Sequence, residues 1–141
     1  MSNAAISISI EKLSKADDPK KALIDQIGEL AIQGYELMED DVLLATFVRP
    51  EKTKGGIIIT PKAKEEDRFQ GKVGLLLKKG PTAFKYDKSG HHYYEGEPPK
   101  IHDWVVYRPS EGWEIALNGV SCRLIRSAMI RGKVRDPETI W

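Results

Sequence analysis

Residues 51–60 read Glu51-Lys52-Thr53-Lys54-Gly55-Gly56-Ile57-Ile58-Ile59-Thr60, and Pro61 follows. Three isoleucines stand between two charged runs, 51–54 and 62–68. Three residues make a short core strand, and the flanks are too polar to lengthen it. The Gly55-Gly56 pair gives the backbone its greatest freedom just before the apolar burst. In an extended chain Ile57 and Ile59 point to one side and Ile58 to the other. Two readings stand side by side: an ordinary edge strand, or a flexible loop carrying an apolar hook.

The flanks are β on both sides. Residues 42–48 are apolar and β-branched, and Arg49-Pro50 ends them. Residues 71–79 form a second strand with Val73, Leu75 and Leu77 on one face, closed by Gly80-Pro81. Residues 82–100 are a loop or hairpin with its tip at 87–90 and its exit at Pro98-Pro99. A third strand spans 104–107. Residues 113–117, the pair Asn118-Gly119 and residues 120–125 make a hairpin, since Asn-Gly suits both positive-φ positions of a tight turn. Residues 127–134 are read as a last strand. Five or six short strands with frequent turns indicate a small β-barrel. Ahead of them, Ile6, Ile8 and Ile10 alternate as a short strand or an arm. Asp18-Pro19 starts a helix over about 19–33, with Leu23, Ile24, Ile27, Leu30 and Ala31 as its apolar stripe and Gly34 as its left-handed close.

With these elements in order, residues 35–134 resemble a GroES-type co-chaperonin of the 10 kDa chaperonin family. The resemblance rests on a strand ending in basic residues (42–49), a charged loop (51–54), Gly55-Gly56 before three aliphatics, and Gly71-Lys72-Val73 opening a long strand. Further on, Asp103-Trp104-Val105-Val106-Tyr107 matches the family's Asp followed by a Val-rich strand, and 113–134 matches more weakly. The resemblance implies a mainly β fold: a small irregular GroES-like β-barrel, here with an added N-terminal helix. It implies a mobile loop over about 50–69, in which Gly55, Gly56, Ile57, Ile58 and Ile59 bind a GroEL-type chaperonin, an ATP-driven ring. It further implies a homo-oligomer of seven subunits that seals the cavity in which an unfolded client protein folds. The first and last strands, 42–48 and 128–134, would then pair between neighbours.

The physics suits that division of labour. Burying three isoleucines contributes roughly 5–9 kcal/mol gross. Ordering a loop of about 15 residues costs roughly 1–2 kcal/mol each. One loop binds weakly, and several on one ring bind together through effective concentration.

The chain departs from the family in four places: the extension 1–34, the aromatic-rich segment 80–100, His102 where a glycine is usual, and the tail 135–141. Relatives extended in this way are found in phage genomes, which would make a capsid protein a candidate client.

The composition agrees with a small soluble domain. At 141 residues the chain is about one domain long. Lys plus Arg is 22 and Asp plus Glu is 21, so the net charge of +1 exerts no general pull on nucleic acid or membrane. The balance hides an acidic first segment, 1–40, and a basic one, 49–88, read as two solvated faces or as a basic stretch that meets an acidic partner. No apolar run is long enough to span a membrane, and the N-terminus lacks the pattern of a secretory signal, although Ser2-Asn3-Ala4 resembles a tag remnant. Cys122 is the one cysteine; without a disulfide framework the expected compartment is the cytoplasm.

No phosphate loop, zinc-protease helix or nucleophile elbow occurs, so no enzyme, catalytic residue, cofactor or metal site is expected. Cys122, in a strand, reads as a packed thiol. His91 and His92 are adjacent and on a strand would face opposite sides. Two further functions stand beside it: a virus structural or assembly protein that reuses the barrel, and a single-stranded nucleic-acid-binding barrel using Phe84, Tyr86, Tyr93 and Tyr94. The lack of a basic excess makes nucleic acid the weaker of these.

Overall fold

In the computed structural model, residues 10–50, 56, 58–60, 71–85 and 97–140 are described. Among them six strands form one antiparallel sheet: β1 (Asp41–Thr46), β2 (Val73–Lys79), β3 (Trp104–Val106), β4 (Trp113–Leu117), β5 (Val120–Arg126) and β6 (Gly132–Val134). Their order across the sheet is β4-β5-β1-β2-β3-β6.

β1 is the centre of this sheet, with β2 on one side and β5 on the other. Its Val42, Leu43, Leu44 and Ala45 are all fully buried, because both faces of the strand are covered. A register shift at Leu43/Leu44 bends it against β2. On one face Leu43 and Ala45 join Val73, Leu75, Leu77, Trp104, Cys122 and Leu124 in the larger core. Both edge strands feed that same core, through Ile115 and Leu117 of β4 and Val134 of β6, so the sheet rolls around it. β4 and β6 are not paired with each other among the described residues, and the roll stays open between them. On the other face Val42, Leu44, Leu76, Val105 and Ile125 are covered by Ala83, Phe84, Met129 and Ile130. The small β-barrel expected from the sequence is borne out as this rolled six-stranded sheet.

The β4–β5 hairpin turns at Asn118 (φ 48°) and Gly119 (φ 81°), the double positive φ that an Asn-Gly turn supplies. The Asn118 side-chain amide also donates to the Ile27 carbonyl at 2.6 Å, tying the turn to the N-terminal segment.

That segment differs from the single helix 19–33. It breaks into α1 (Pro19–Ile27) and α2 (Glu29–Gln33). Asp18 caps α1 by accepting from the Lys21 N–H, with Pro19 at the first position, as expected. The break is at Gly28, whose φ of 90° an L side chain rarely adopts, while Gly34 closes α2 with a right-handed φ of −74°. Gly28, with a positive φ and an extended ψ of 133°, is thus the glycine that ends α1, and Gly34 is not left-handed. The kink takes Leu30 off the stripe: it is 86% exposed, while Leu23 and Ile27 are buried in the larger core. The extension is therefore part of the barrel's packing. Residues 10–14, read as strand or arm, are helical from Ile10; Ile6 and Ile8 lie outside the described residues.

Three strand readings are also corrected. β1 has no free ladder side, so it cannot pair with the last strand of a neighbour; the sheet's edges are β4 and β6. β6 pairs with β3 of its own chain. Residues 127–134 are not one strand: a 3-10 turn, Ser127–Met129, precedes β6, and the Ser127 hydroxyl accepts from the Phe84 N–H at 3.2 Å. Beyond β6, Pro137 is buried in a second 3-10 turn and Ile140 packs on the larger core. The hairpin tip 87–90 and His91-His92 lie outside the described residues.

Candidate functional site

The connection between β1 and β2 runs from residue 47 to residue 72, far longer than an ordinary hairpin loop, and loops of that length are usually functional. Its base is held by backbone. The Phe47 N–H donates to the Val73 carbonyl at 3.0 Å, and the Tyr107 N–H donates to the Lys72 carbonyl at 2.9 Å. Beneath the base, the Phe47 and Trp104 rings meet edge to face, with centroids 5.3 Å apart.

Within the connection, Gly56 and Ile58–Thr60 are described; Gly55, Ile57 and most of 51–70 are not. Gly56 is exposed with a φ of 85°, a conformation that favours glycine, directly ahead of the isoleucines. Ile58 is 73% exposed, and Ile59 is 7% exposed. Neighbouring residues of an extended chain face opposite ways, so Ile58 turns to solvent while Ile59 is turned away from it. The resemblance treated the three isoleucines as equivalent docking residues; in this conformation Ile58 is presented and Ile59 is packed.

Other chemistry is sparse. The described residues hold no group of three or more side chains able to bind a metal, and no described helix is long and apolar enough to cross a membrane. Cys122 is fully buried, and burial pushes its thiol up to about 12. Arg123 is buried yet spent on structure: its Nη1 donates to the carbonyls of Pro109 and Glu111, both at 2.9 Å, and its guanidinium sits 5.4 Å over the Tyr107 ring. Burial pushes the Tyr107 phenol above its ordinary value, against the opposing pull of Arg123.

The sequence reading missed one feature. A cleft of about 530 Å³ opens where the N-terminal extension meets the C-terminal tail, over Phe47 and Trp104. Its walls are Leu13, Ala16, Asp17 and Asp18 on one side and Arg135, Asp136, Pro137 and Glu138 on the other. The two walls are more than a hundred residues apart in sequence, and no local pattern signals that they meet.

A rolled β-sheet with a long, fixed-base connection that shows a large aliphatic, Ile58, to solvent is a frame suited to binding. Comparison with known proteins agrees. The sequence model of the family described as "Chaperonin 10 Kd subunit" matches residues 35–134. The chain belongs to that family, whose members are non-enzymatic chaperone components. Over 105 residues it is 30% identical to the "Co-chaperonin GroES" of Allorhizobium ampelinum, covering 74% of this chain and 99% of that protein. It is also 28% identical over 106 residues to "Co-chaperonin GroES 2" of Mesorhizobium japonicum, covering 75% of this chain and 94% of the relative. The chain is accordingly a co-chaperonin of GroES type with material outside the matched barrel at both ends.

Proposed function

We propose that this co-chaperonin caps a GroEL-type ATP-dependent ring through the segment Gly55–Ile59, and that seven copies close over an unfolded client. The observation that carries the reading is Ile58: a large aliphatic side chain, 73% exposed, placed by a left-handed glycine on a connection whose base is pinned. An exposed isoleucine gains from burial only when a partner supplies an apolar groove. Gly55 and Gly56 would permit the turn into that groove, and Ile57 would be a further docking residue. Among the described residues β4 and β6 are the outermost strands of the sheet, and copies would meet through these edges.

The test is an ATP-dependent pull-down of a purified GroEL-type ring by the full chain, with sedimentation of the chain alone. Nucleotide-dependent capture and a closed oligomer are expected. No capture in any nucleotide state, or a stable monomer at micromolar concentration, would overturn the reading.

A further inference from the structure

Of the two outer strands, β6 carries a concentrated charge. Arg131, Lys133 and Arg135 are exposed at alternate positions along it, about 6.6 Å apart, and none of them holds an ion pair among the described residues. We propose that these cations set the direction in which copies join: they bar two β6 edges from pairing and take the acidic stretch 36–39 of a second copy, so that assembly runs head to tail. This rests on the several-copy reading and narrows its two edges to one.

Three observations carry it. The first is like charge on the edge itself. An antiparallel pairing of two β6 strands about a two-fold axis would set Lys133 opposite Lys133 and Arg131 opposite Arg135, and like charges directly opposite are destabilising. The second is the complement, found on the same chain. Ahead of β1, Tyr35 and Leu37 pack on the larger core while Glu36 and Met38 are exposed, Met38 by 70%, so every other residue of 35–38 is left to solvent. Glu36 and Glu39 are exposed and hold no ion pair among the described residues. Asp40 adds nothing to this count, because Arg126 pairs with it at 3.2 Å. The third is placement. The stretch lies outside the six strands, since β1 begins at Asp41, so it is not spent on its own sheet. A contact between two different surfaces of identical copies is heterologous, and it repeats into a ring where the rotation closes.

The experiment is sedimentation of the full chain at low and moderate salt, for the natural protein, Lys133→Glu, Glu36→Lys and the chain with both. The two side chains are exposed and unpaired among the described residues, so their reversal leaves the fold alone. The natural assembly is expected to loosen as salt rises. Each single reversal should raise the Kd of self-association at least fivefold at low salt, and the double variant should recover most of that loss. Natural assembly by both single variants, or a double variant no stronger than the singles, would overturn the charge-directed contact and keep the several-copy reading. A stable monomer of the natural protein at micromolar concentration would overturn both.

Discussion

Ile58 and Ile59 are neighbours in sequence, and their substitutions should fail different assays. Ile58 is 73% exposed, so Ile58→Ser removes almost nothing from the folded subunit. On docking, full burial of an isoleucine contributes about 1.5–3 kcal/mol, and the part still exposed amounts to about 1–2 kcal/mol per subunit. That corresponds to roughly five- to thirtyfold for one contact, compounded across the subunits of a ring. Ile59 is 7% exposed, and Ile59→Ser loses the same transfer energy inside the subunit and places a hydroxyl where an apolar group was packed. With about 1–3 kcal/mol more for an unsatisfied hydroxyl, the total is about 3–5 kcal/mol, which for a chain of this length lowers Tm by roughly 10 °C. Thermal unfolding and ATP-dependent ring binding, run on both variants, separate the two. Ile58→Ser should keep Tm and lose the ring; Ile59→Ser should lose Tm first. Equal falls in Tm, or loss of ring binding by Ile59→Ser at natural Tm, would refute the assignment of one residue to the partner and the other to the subunit.

His102 has a φ of 75° and an exposed side chain, so His102→Gly relieves a left-handed conformation that costs an L residue about 1–2 kcal/mol, less about 0.5–1 kcal/mol of glycine entropy. A rise in Tm of about 2–4 °C is expected, with His102→Val falling instead. Leu23→Ala should cost about 2–5 kcal/mol in denaturant unfolding, as for any fully buried leucine, because α1 packs in the barrel's own core. Near-zero change would show the extension to be an appendage. Cys122, with its thiol raised to about 12, should resist iodoacetamide in the native protein and react after unfolding. The same shift sets a pH dependence. The group's contribution to stability is complete below pH 9, its ordinary value, and is lost as pH rises toward 12.

The strands were legible where period or turn chemistry was local. Val73, Leu75 and Leu77 do share one face, and Asn118-Gly119 does make the turn. What failed depended on distant partners. β1 looked like a first, exposed strand because it is the first in sequence, but chain order does not set sheet order, and β5 returns to pair with it. Leu30 matched the helical stripe by spacing alone; the glycine at 28, read as an ordinary helix position, ends the helix first. The replacement of a usual glycine by His102 was visible in sequence, and the structure gives its meaning as a positive φ. For the proposed docking segment the sequence shows three alike isoleucines but not the difference in exposure between Ile58 and Ile59, which depends on how the chain around them folds.

That difference changes the energetics of docking. A connection that must be ordered along its whole length charges about 1–2 kcal/mol per residue against the burial of its aliphatics. Every residue already held in the free subunit removes that amount from the cost. Ile59 is buried, Gly56 holds a positive φ two residues ahead of Ile58, and both ends of the connection are bonded to the rest of the fold, Phe47 to Val73 and Lys72 to Tyr107. On the capping reading, Ile58 would approach the partner with part of the ordering cost already met, and a single aliphatic contact could contribute where a wholly free loop would spend its gain on ordering. The same arrangement limits how tightly one subunit can bind, since only Ile58 among the described isoleucines of the segment is left to bury. On the capping reading, strong capture would come from several subunits together, and release would need only that the partner's grooves move out of register with one another.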